Sequence, residues 1–418
     1  MSDSSLRHRT GKITLTVRRS DRSALAEQVV TVAQRRHAFA FGNIGFDFVD
    51  LVGGPDPEGA QPFGGTDQSD LDRLGQLWLN LFNTATLPFY WGSYEPRRGA
   101  PDTGRLTKTA RWLADRGVTV KGHPLVWHTV QPPWLLGLDL DEVEALQRAR
   151  IRDLVGGFAG LINTWDAINE AVIMPVFANG DNAITDLARA RGRIHLVRMA
   201  FEEARAANPT ATLVLNDFDL SSAYECLIEG VLEAGVRIDA IGLQTHMHQG
   251  YRGEEYMLET LDRFARYGLP LHLTETTLVS GHLMPPEIED LNDYQIPQWP
   301  STSEGEARQA EEIVRHYRCL LAHPAVESVN YWGLTDRGAW LGAPAGLVHA
   351  DGSRKPSYDA LEALLKGEWW LPPTPRRTDP DGRVIVEGFL GDYTVSAGDR
   401  SARFTIDAAD STATIDLS

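Results

Sequence analysis

The sequence predicts an α/β protein: a closed (β/α)8 barrel with a small accessory β unit formed by the N- and C-terminal segments. Three observations lead there. Strand-like and helix-like runs alternate through the middle of the 418 residues, with eight strand cores at 38–44, 81–90, 118–127, 164–171, 212–220, 238–246, 270–276 and 326–335. Most of these cores are too continuously apolar for strands with one wet face, which fits parallel strands covered on both sides. Both ends of the chain break the pattern and read as short antiparallel strands. Eight βα units over roughly 330 residues suit a closed parallel barrel. The competing open, doubly wound sheet would carry a Gly-rich phosphate turn after its first strand, and none is present.

Taken in order, Ile13-Thr14-Leu15-Thr16-Val17 alternates, the chain turns through Arg19-Ser20-Asp21-Arg22-Ser23, and Val29-Val30-Thr31-Val32 follows. This predicts an N-terminal β hairpin within 1–36. The barrel is expected over 37–368. The Gly/Pro-rich stretch 52–65 reads as a loop over one barrel end. Helices are expected from Asp70 through Phe82, on Leu71, Leu74 and Trp78, and around Leu106, Ala110 and Leu113, with Thr103 as cap and Gly117 just past the end. The pattern 194–207 stops at Asn208-Pro209, an orderly helix end. Residues 281–306, with Pro285, Pro286, Pro297 and Pro300, form a long insertion after the seventh strand and are a candidate substrate wall. Leu371-Pro372-Pro373-Thr374-Pro375 reads as a linker. Short strands behind it predict a small β unit over 376–418. A two-stranded hairpin is marginal alone, so the N-terminal pair is expected to join the C-terminal strands in one accessory sheet.

Hydrophobic residues make up 42% and charged residues 23% of the chain, and the formal net charge is −17. Such a surface repels phosphate backbones, which argues against a nucleic-acid partner. No run is long enough to span a membrane. Cys226 and Cys319 cannot make a disulfide framework and read as small hydrophobes. No apolar stretch follows Arg7 and Arg9, so the expectation is a cytoplasmic protein, or an exported one read without its leader.

The chemistry concentrates on two glutamates. Glu170 closes Thr164-Trp165-Asp166-Ala167-Ile168-Asn169-Glu170, and Glu275 closes Leu271-His272-Leu273-Thr274-Glu275. A carboxylate at the tip of a buried strand is costly unless it is paired or used. Active groups of such barrels sit at the C-terminal strand ends, where Glu170, Asn216, His246 and Glu275 all fall. Two facing carboxyls are what cleavage of a sugar acetal requires, and that chemistry needs no cofactor and no metal.

Trp165-Asp166-Ala167-Ile168-Asn169-Glu170-Ala171 resembles the acid/base strand of the family 10 glycoside hydrolases, the retaining endo-β-1,4-xylanases. Four further stretches resemble that family in order and spacing: Gly122-His123-Pro124-Leu125-Val126-Trp127-His128, Leu215-Asn216-Asp217-Phe218, Ile241-Gly242-Leu243-Gln244-Thr245-His246, and Tyr331-Trp332-Gly333-Leu334-Thr335-Asp336 followed by Trp340. The resemblance covers about residues 38 to 365. It implies a carbohydrate substrate, with Glu170 as general acid/base and Glu275 as nucleophile. It further implies that Asn169 bonds the sugar 2-hydroxyl, that His246 orients Glu275, and that Asn216 belongs to the same site. His123, Trp127, Trp332 and Trp340 would then line the sugar subsites. Gln244 alternates onto the face of His246 and is expected to bond the nucleophile or the sugar.

The chain also departs from the pattern it resembles. In the family the second strand carries a Glu-Asn pair and a Lys before a Trp, which hold xylose on the non-reducing side. Here Phe82-Asn83-Thr84-Ala85-Thr86-Leu87-Pro88-Phe89-Tyr90-Trp91 is shortened and apolar or aromatic at those places. Phe218 replaces a Tyr, and Thr277 replaces the Asp that would support His246. Altered subsites are therefore expected, with short oligosaccharides or a small-molecule glycoside as substrate. Two other readings compete. One is a metal-dependent barrel hydrolase using His246, His248, His123 and His128. The other is a catalytically silent carbohydrate-binding barrel.

Overall fold

The computed structural model describes residues 3–55, 71–407 and 409–418. A short 3-10 turn, Asp3–Arg9, precedes β1 (Thr10–Arg18) and β2 (Val29–His37). The barrel strands follow: β3 (Ala40–Ile44), β4 (Thr84–Pro88), β5 (Thr119–His123), β6 (Thr164–Asn169), β7 (Thr212–Asp217), β8 (Ala240–Met247), β9 (Leu271–Leu278) and β10 (Val326–Tyr331). The chain ends in β11 (Thr374–Arg377), β12 (Arg383–Phe389), β13 (Gly391–Ala397), β14 (Arg400–Ile406) and β15 (Asp410–Asp416).

β3 to β10 form one closed parallel barrel in sequence order, with β10 returning to β3. Helices cover its outside. Its strands are buried on both faces, as the apolar runs require: Leu213, Val214 and Leu215 are all fully buried. Helix Leu71–Leu81 buries Leu74 and Trp78, and Trp78 Nε1 donates to the Ile44 carbonyl at 2.9 Å. Its expected start at Asp70, and positions 56–65 of the expected loop, lie outside the described residues. Helix Thr103–Ala114 buries Leu106, Ala110 and Leu113. Thr103 does not cap it; Asp102 precedes the first turn without a capping bond, and the Thr103 hydroxyl lies 2.6 Å from the Tyr94 hydroxyl instead. Among the described residues, no helix is long and apolar enough to cross a membrane.

Several strands stop short of their expected C-terminal ends, and β3, β4 and β8 also start later than expected. β5 stops at His123, β7 at Asp217 and β10 at Tyr331. The aromatic residues that prolonged the pattern there belong to loops over the top of the barrel: Trp127 and Trp332 pack on His123 in a cleft rather than in a core, and Phe218 is exposed.

The terminal segments correct a second expectation. β1 and β2 do not pair as a hairpin. β1 lies between β12 (antiparallel) and β15 (parallel), whereas β2 lies between β11 and β13 in a four-stranded sheet of order β11-β2-β13-β14. N- and C-terminal strands thus interleave in two sheets rather than one. The reason is burial: Ile13, Leu15 and Val17 of β1 and Val30 and Val32 of β2 share one core with Val384, Val386, Tyr393, Val395, Phe404 and Ile406. A two-stranded ribbon could not cover that apolar face. Thr374 and Pro375, read as linker, begin β11; proline is tolerated there because β11 is an edge strand.

One glycine tests how tightly the barrel packs. A Cβ on Gly122 of β5 would stand 2.1 Å from the ring of Trp165 on the neighbouring strand, and that ring is fully buried. Gly122→Ala is therefore expected to destabilise the fold by about 1–3 kcal/mol through overpacking. Urea denaturation of the two proteins measures the difference.

Candidate active site

Glu275 lies on β9 and is buried, facing the barrel axis. Asn216 Nδ2 of β7 donates to its Oε1 at 3.1 Å, and His246 Nε2 of β8 lies 3.1 Å from its Oε2. His123 Nε2 stands 3.9 Å from Oε1. Glu170 is the first residue past β6. Its backbone is left-handed (φ 58°), rare for a residue with a side chain, and its N–H donates to the Asn216 carbonyl at 2.9 Å. Strain of this kind persists only where the surroundings hold it, and it gathers at functional sites. Trp127 Nε1 donates to Glu170 Oε2 at 2.7 Å and Asn169 Nδ2 donates to Oε1 at 3.1 Å.

The two carboxyls are joined by amides. Asn169 Oδ1 accepts from Asn216 Nδ2 at 2.7 Å and from Gln244 Nε2 at 2.9 Å. Asn216 reaches on to Glu275, and Asn169 reaches on to Glu170. Thr274 Oγ1 donates to Asn216 Oδ1 at 2.5 Å, which fixes the amide with its NH2 toward the site. Asn169, Asn216 and Gln244 are thus one network that sets both carboxyls across a common space.

Their electrostatics differ. Glu170 is pushed up to about 8, chiefly by burial, then by the charges on Glu275 and Asp217, against the opposing Trp127 bond. Asp217, buried beneath the loop after Glu170, is itself pushed up to about 7 by burial. Its oxygens accept from the Val172 and Asp219 N–H groups at 3.0 Å each. His128 Nε2 lies 4.0 Å from Glu170 Oε2; burial takes that imidazole down to about 4, so it is neutral.

Aromatic rings wall the space. Tyr90 packs on Trp127 at 5.3 Å and on His123 at 5.6 Å between centroids. Trp332 packs on His123 at 5.2 Å and on Phe46 at 5.5 Å. Trp340 covers His246 at 5.0 Å and donates from Nε1 to Asn292 Oδ1 at 3.2 Å. Asn292 belongs to the 281–306 insertion. That insertion forms a small core of its own, with Met284 and Trp299 against Ala343 and Ala345, and so borders the cleft beside Trp340.

A family model described as glycosyl hydrolase family 10 matches residues 82–364. The chain belongs to glycosyl hydrolase family 10. Endo-1,4-beta-xylanase B of Thermotoga neapolitana is 29% identical over 315 residues, covering 71% of this chain and 84% of that protein. Beta-1,4-xylanase of Dictyoglomus thermophilum is 28% identical over 265 residues, 60% of this chain and 70% of that one. In fold it resembles the crystal structure of xylanase 10B from Thermotoga petrophila RKU-1 in complex with xylobiose (TM-score 0.62, 23% identity, 79% of this chain and 95% of that chain). This family 10 member is therefore a glycoside hydrolase, endo-1,4-β-xylanase-like and retaining, with a carbohydrate substrate.

All ten residues singled out from the sequence border this one cleft or its network. The four histidines that suggested a metal site each have another neighbour. His123 Nδ1 lies 2.7 Å from Asp166 Oδ2, His246 and His248 converge on Thr277, and His128 packs on Phe177. Among the described residues, no three metal-ligating side chains cluster.

Sequence reasoning passed over Lys121 and Asp166. Lys121 Nζ lies 2.8 Å from Asp166 Oδ2, both are buried, and the pair sits beneath His123. The available signal was a charge inside each of two neighbouring apolar strands, which burial tolerates only as a pair. Tyr90 was also missed as a wall of the cleft, because the shortened second strand was read for what it lacks.

Proposed function

We propose that this chain is a retaining β-glycosidase in which Glu170 is the acid/base and Glu275 the nucleophile, acting on xylan-type oligosaccharides or a small β-glycoside. The observation that carries the reading is the amide network that sets a proton-holding carboxyl opposite a second carboxyl bonded by Asn216 and His246. Retaining cleavage places such groups roughly 5–5.5 Å apart. In the first step Glu275 attacks the anomeric carbon while Glu170 gives its proton to the departing oxygen. The Glu275 charge is consumed in the glycosyl ester, which removes one cause of the raised Glu170 pKa. Glu170, now a carboxylate, takes a proton from water, and that water displaces Glu275. Asn169, held by Asn216 and Gln244, is suited to bond the sugar 2-hydroxyl beside the reacting carbon.

The substrate range follows from the collar of rings. In the stretch where the family pattern has hydrogen-bonding Glu, Asn and Lys, Tyr90 offers a ring instead, packed against Phe46 and Trp127. A site without those polar partners holds a long xylan chain less firmly on its non-reducing side. The expected result is faster cleavage of short xylo-oligosaccharides or aryl β-glycosides (xyloside, xylobioside, cellobioside, arabinoside) than of long xylan, compared as kcat/KM. Faster turnover of long xylan than of every short or aryl glycoside overturns the substrate range.

A further inference from the structure

Thr277 stands two residues beyond Glu275 on β9, at the place where the family pattern has an aspartate. Its hydroxyl lies 3.2 Å from Nδ1 of His246, whose other ring nitrogen, Nε2, faces Glu275 Oε2 at 3.1 Å. Two more groups reach the same hydroxyl: the Met247 backbone N–H at 3.3 Å and His248 Nδ1 at 3.5 Å.

A hydroxyl has one proton to give and two lone pairs to fill. The Met247 N–H fills one lone pair. Suppose Thr277 gave its proton to His248. A neutral His246 would then turn Nδ1–H to Thr277 and leave a bare Nε2 lone pair against the Glu275 carboxylate, a repulsive contact. The opposite arrangement satisfies every group. His248 Nδ1–H fills the second lone pair, Thr277 donates to His246 Nδ1, and His246 Nε2–H donates to Glu275.

Among the described residues, the titratable groups that touch His246 are Glu275 from β9 and His248 from its own strand. The uncharged rings of Trp332 and Trp340, from the loop after β10, pack against it. His248 is buried and held neutral, so it supplies no charge. An imidazolium at position 246 would have Glu275 as the one carboxylate bonded to it, and that contact would lose its charge whenever Glu275 is esterified and the negative charge passes to Glu170.

We infer that Thr277 is a positioning residue which locks His246 as the neutral Nε2–H tautomer, so that Glu275 is held by a neutral donor rather than by a cation. This rests on Glu275 being the nucleophile, and the lock serves that role directly. The same Nε2–H can bond the carboxylate before attack and an ester oxygen after it, with no cation left bonded to a neutral ester between the two steps.

Histidine 15N resonances test this in the intact protein at pH 7, with His246 assigned by difference from His246→Gln. The expected pattern is a protonated Nε2 and an unprotonated Nδ1. Thr277→Asp is expected to protonate both nitrogens and to move the acid limb of kcat/KM to lower pH. Thr277→Val is expected to mix the tautomers and to lower kcat/KM by about tenfold; Thr277→Ser restores both. Imidazolium at His246 in the unaltered protein overturns the inference, as does Thr277→Val with tautomer and kcat/KM both unchanged. If azide fails to rescue Glu275→Gly while the 15N pattern holds, the nucleophile assignment fails and the tautomer lock stands.

Discussion

Glu275→Ala lowers kcat on the best glycoside substrate by a factor on the order of 10⁴ or more, with substrate affinity little changed. The size follows from what is lost. Without the carboxylate no covalent glycosyl intermediate forms, and no other anion among the described residues stands against the network of Asn216 and His246. The alanine leaves Asn216, held by Asn169 and Thr274, still in place, so the cleft keeps its shape and binding survives. Glu275→Gly with azide then separates a nucleophile from a merely structural glutamate. The small anion enters the vacated space, attacks the same anomeric face and yields a glycosyl azide of inverted configuration. A silent carbohydrate-binding barrel would behave otherwise: the substitution would change affinity alone, because there would be no turnover to lose. Product analysis by proton NMR reads the anomeric configuration directly. Turnover retained by Glu275→Ala overturns the assignment.

The fold was legible in the sequence because its strongest signals are burial signals. Eight apolar runs separated by helical periodicity leave few architectures, and β3 to β10 occupy those runs. The misreadings cluster where burial serves something other than the core. Trp127 and Trp332 prolong strand patterns because a cleft wall and a core strand use the same residues. β1 and β2 were adjacent in sequence and turn-linked, yet they joined different sheets, since partner choice depends on C-terminal strands more than 350 residues away. Within the site, residue types were readable and bonds were not. The left-handed backbone at Glu170 has no signature in Ile168-Asn169-Glu170-Ala171. Thr277 read as a loss, because a missing carboxylate is visible in sequence; the hydroxyl that meets both His246 and His248 appears only once β8 and β9 are set side by side.

Glu170→Gln is expected to lower kcat/KM by about 10³–10⁴-fold on glycosides with poor leaving groups, and far less on activated aryl glycosides. A good leaving group departs without a proton, so its first step escapes the loss and only the water-dependent second step stays slow. Azide, which needs no general base, then restores turnover of the aryl substrate with retained configuration, the opposite stereochemistry to that of Glu275→Gly. The pH profile carries the same logic. Glu170 must hold its proton to act as acid, and burial with the facing charges pushes it up to about 8, so activity falls as pH rises through that value. Glu275→Gln removes a facing charge and is expected to shift the Glu170 titration downward, which a carboxyl 13C titration measures without any turnover. Stability moves in the same window. A carboxyl whose folded pKa lies above its unfolded one stabilises the fold fully below the unfolded value near 4.5 and loses that contribution as pH climbs toward about 8. The melting temperature of Glu170→Gln relative to the unaltered protein should therefore rise across that interval and level off above it. A gap that stays flat between pH 4.5 and 8 means that Glu170 is ionised throughout, and with that the acid/base assignment is lost.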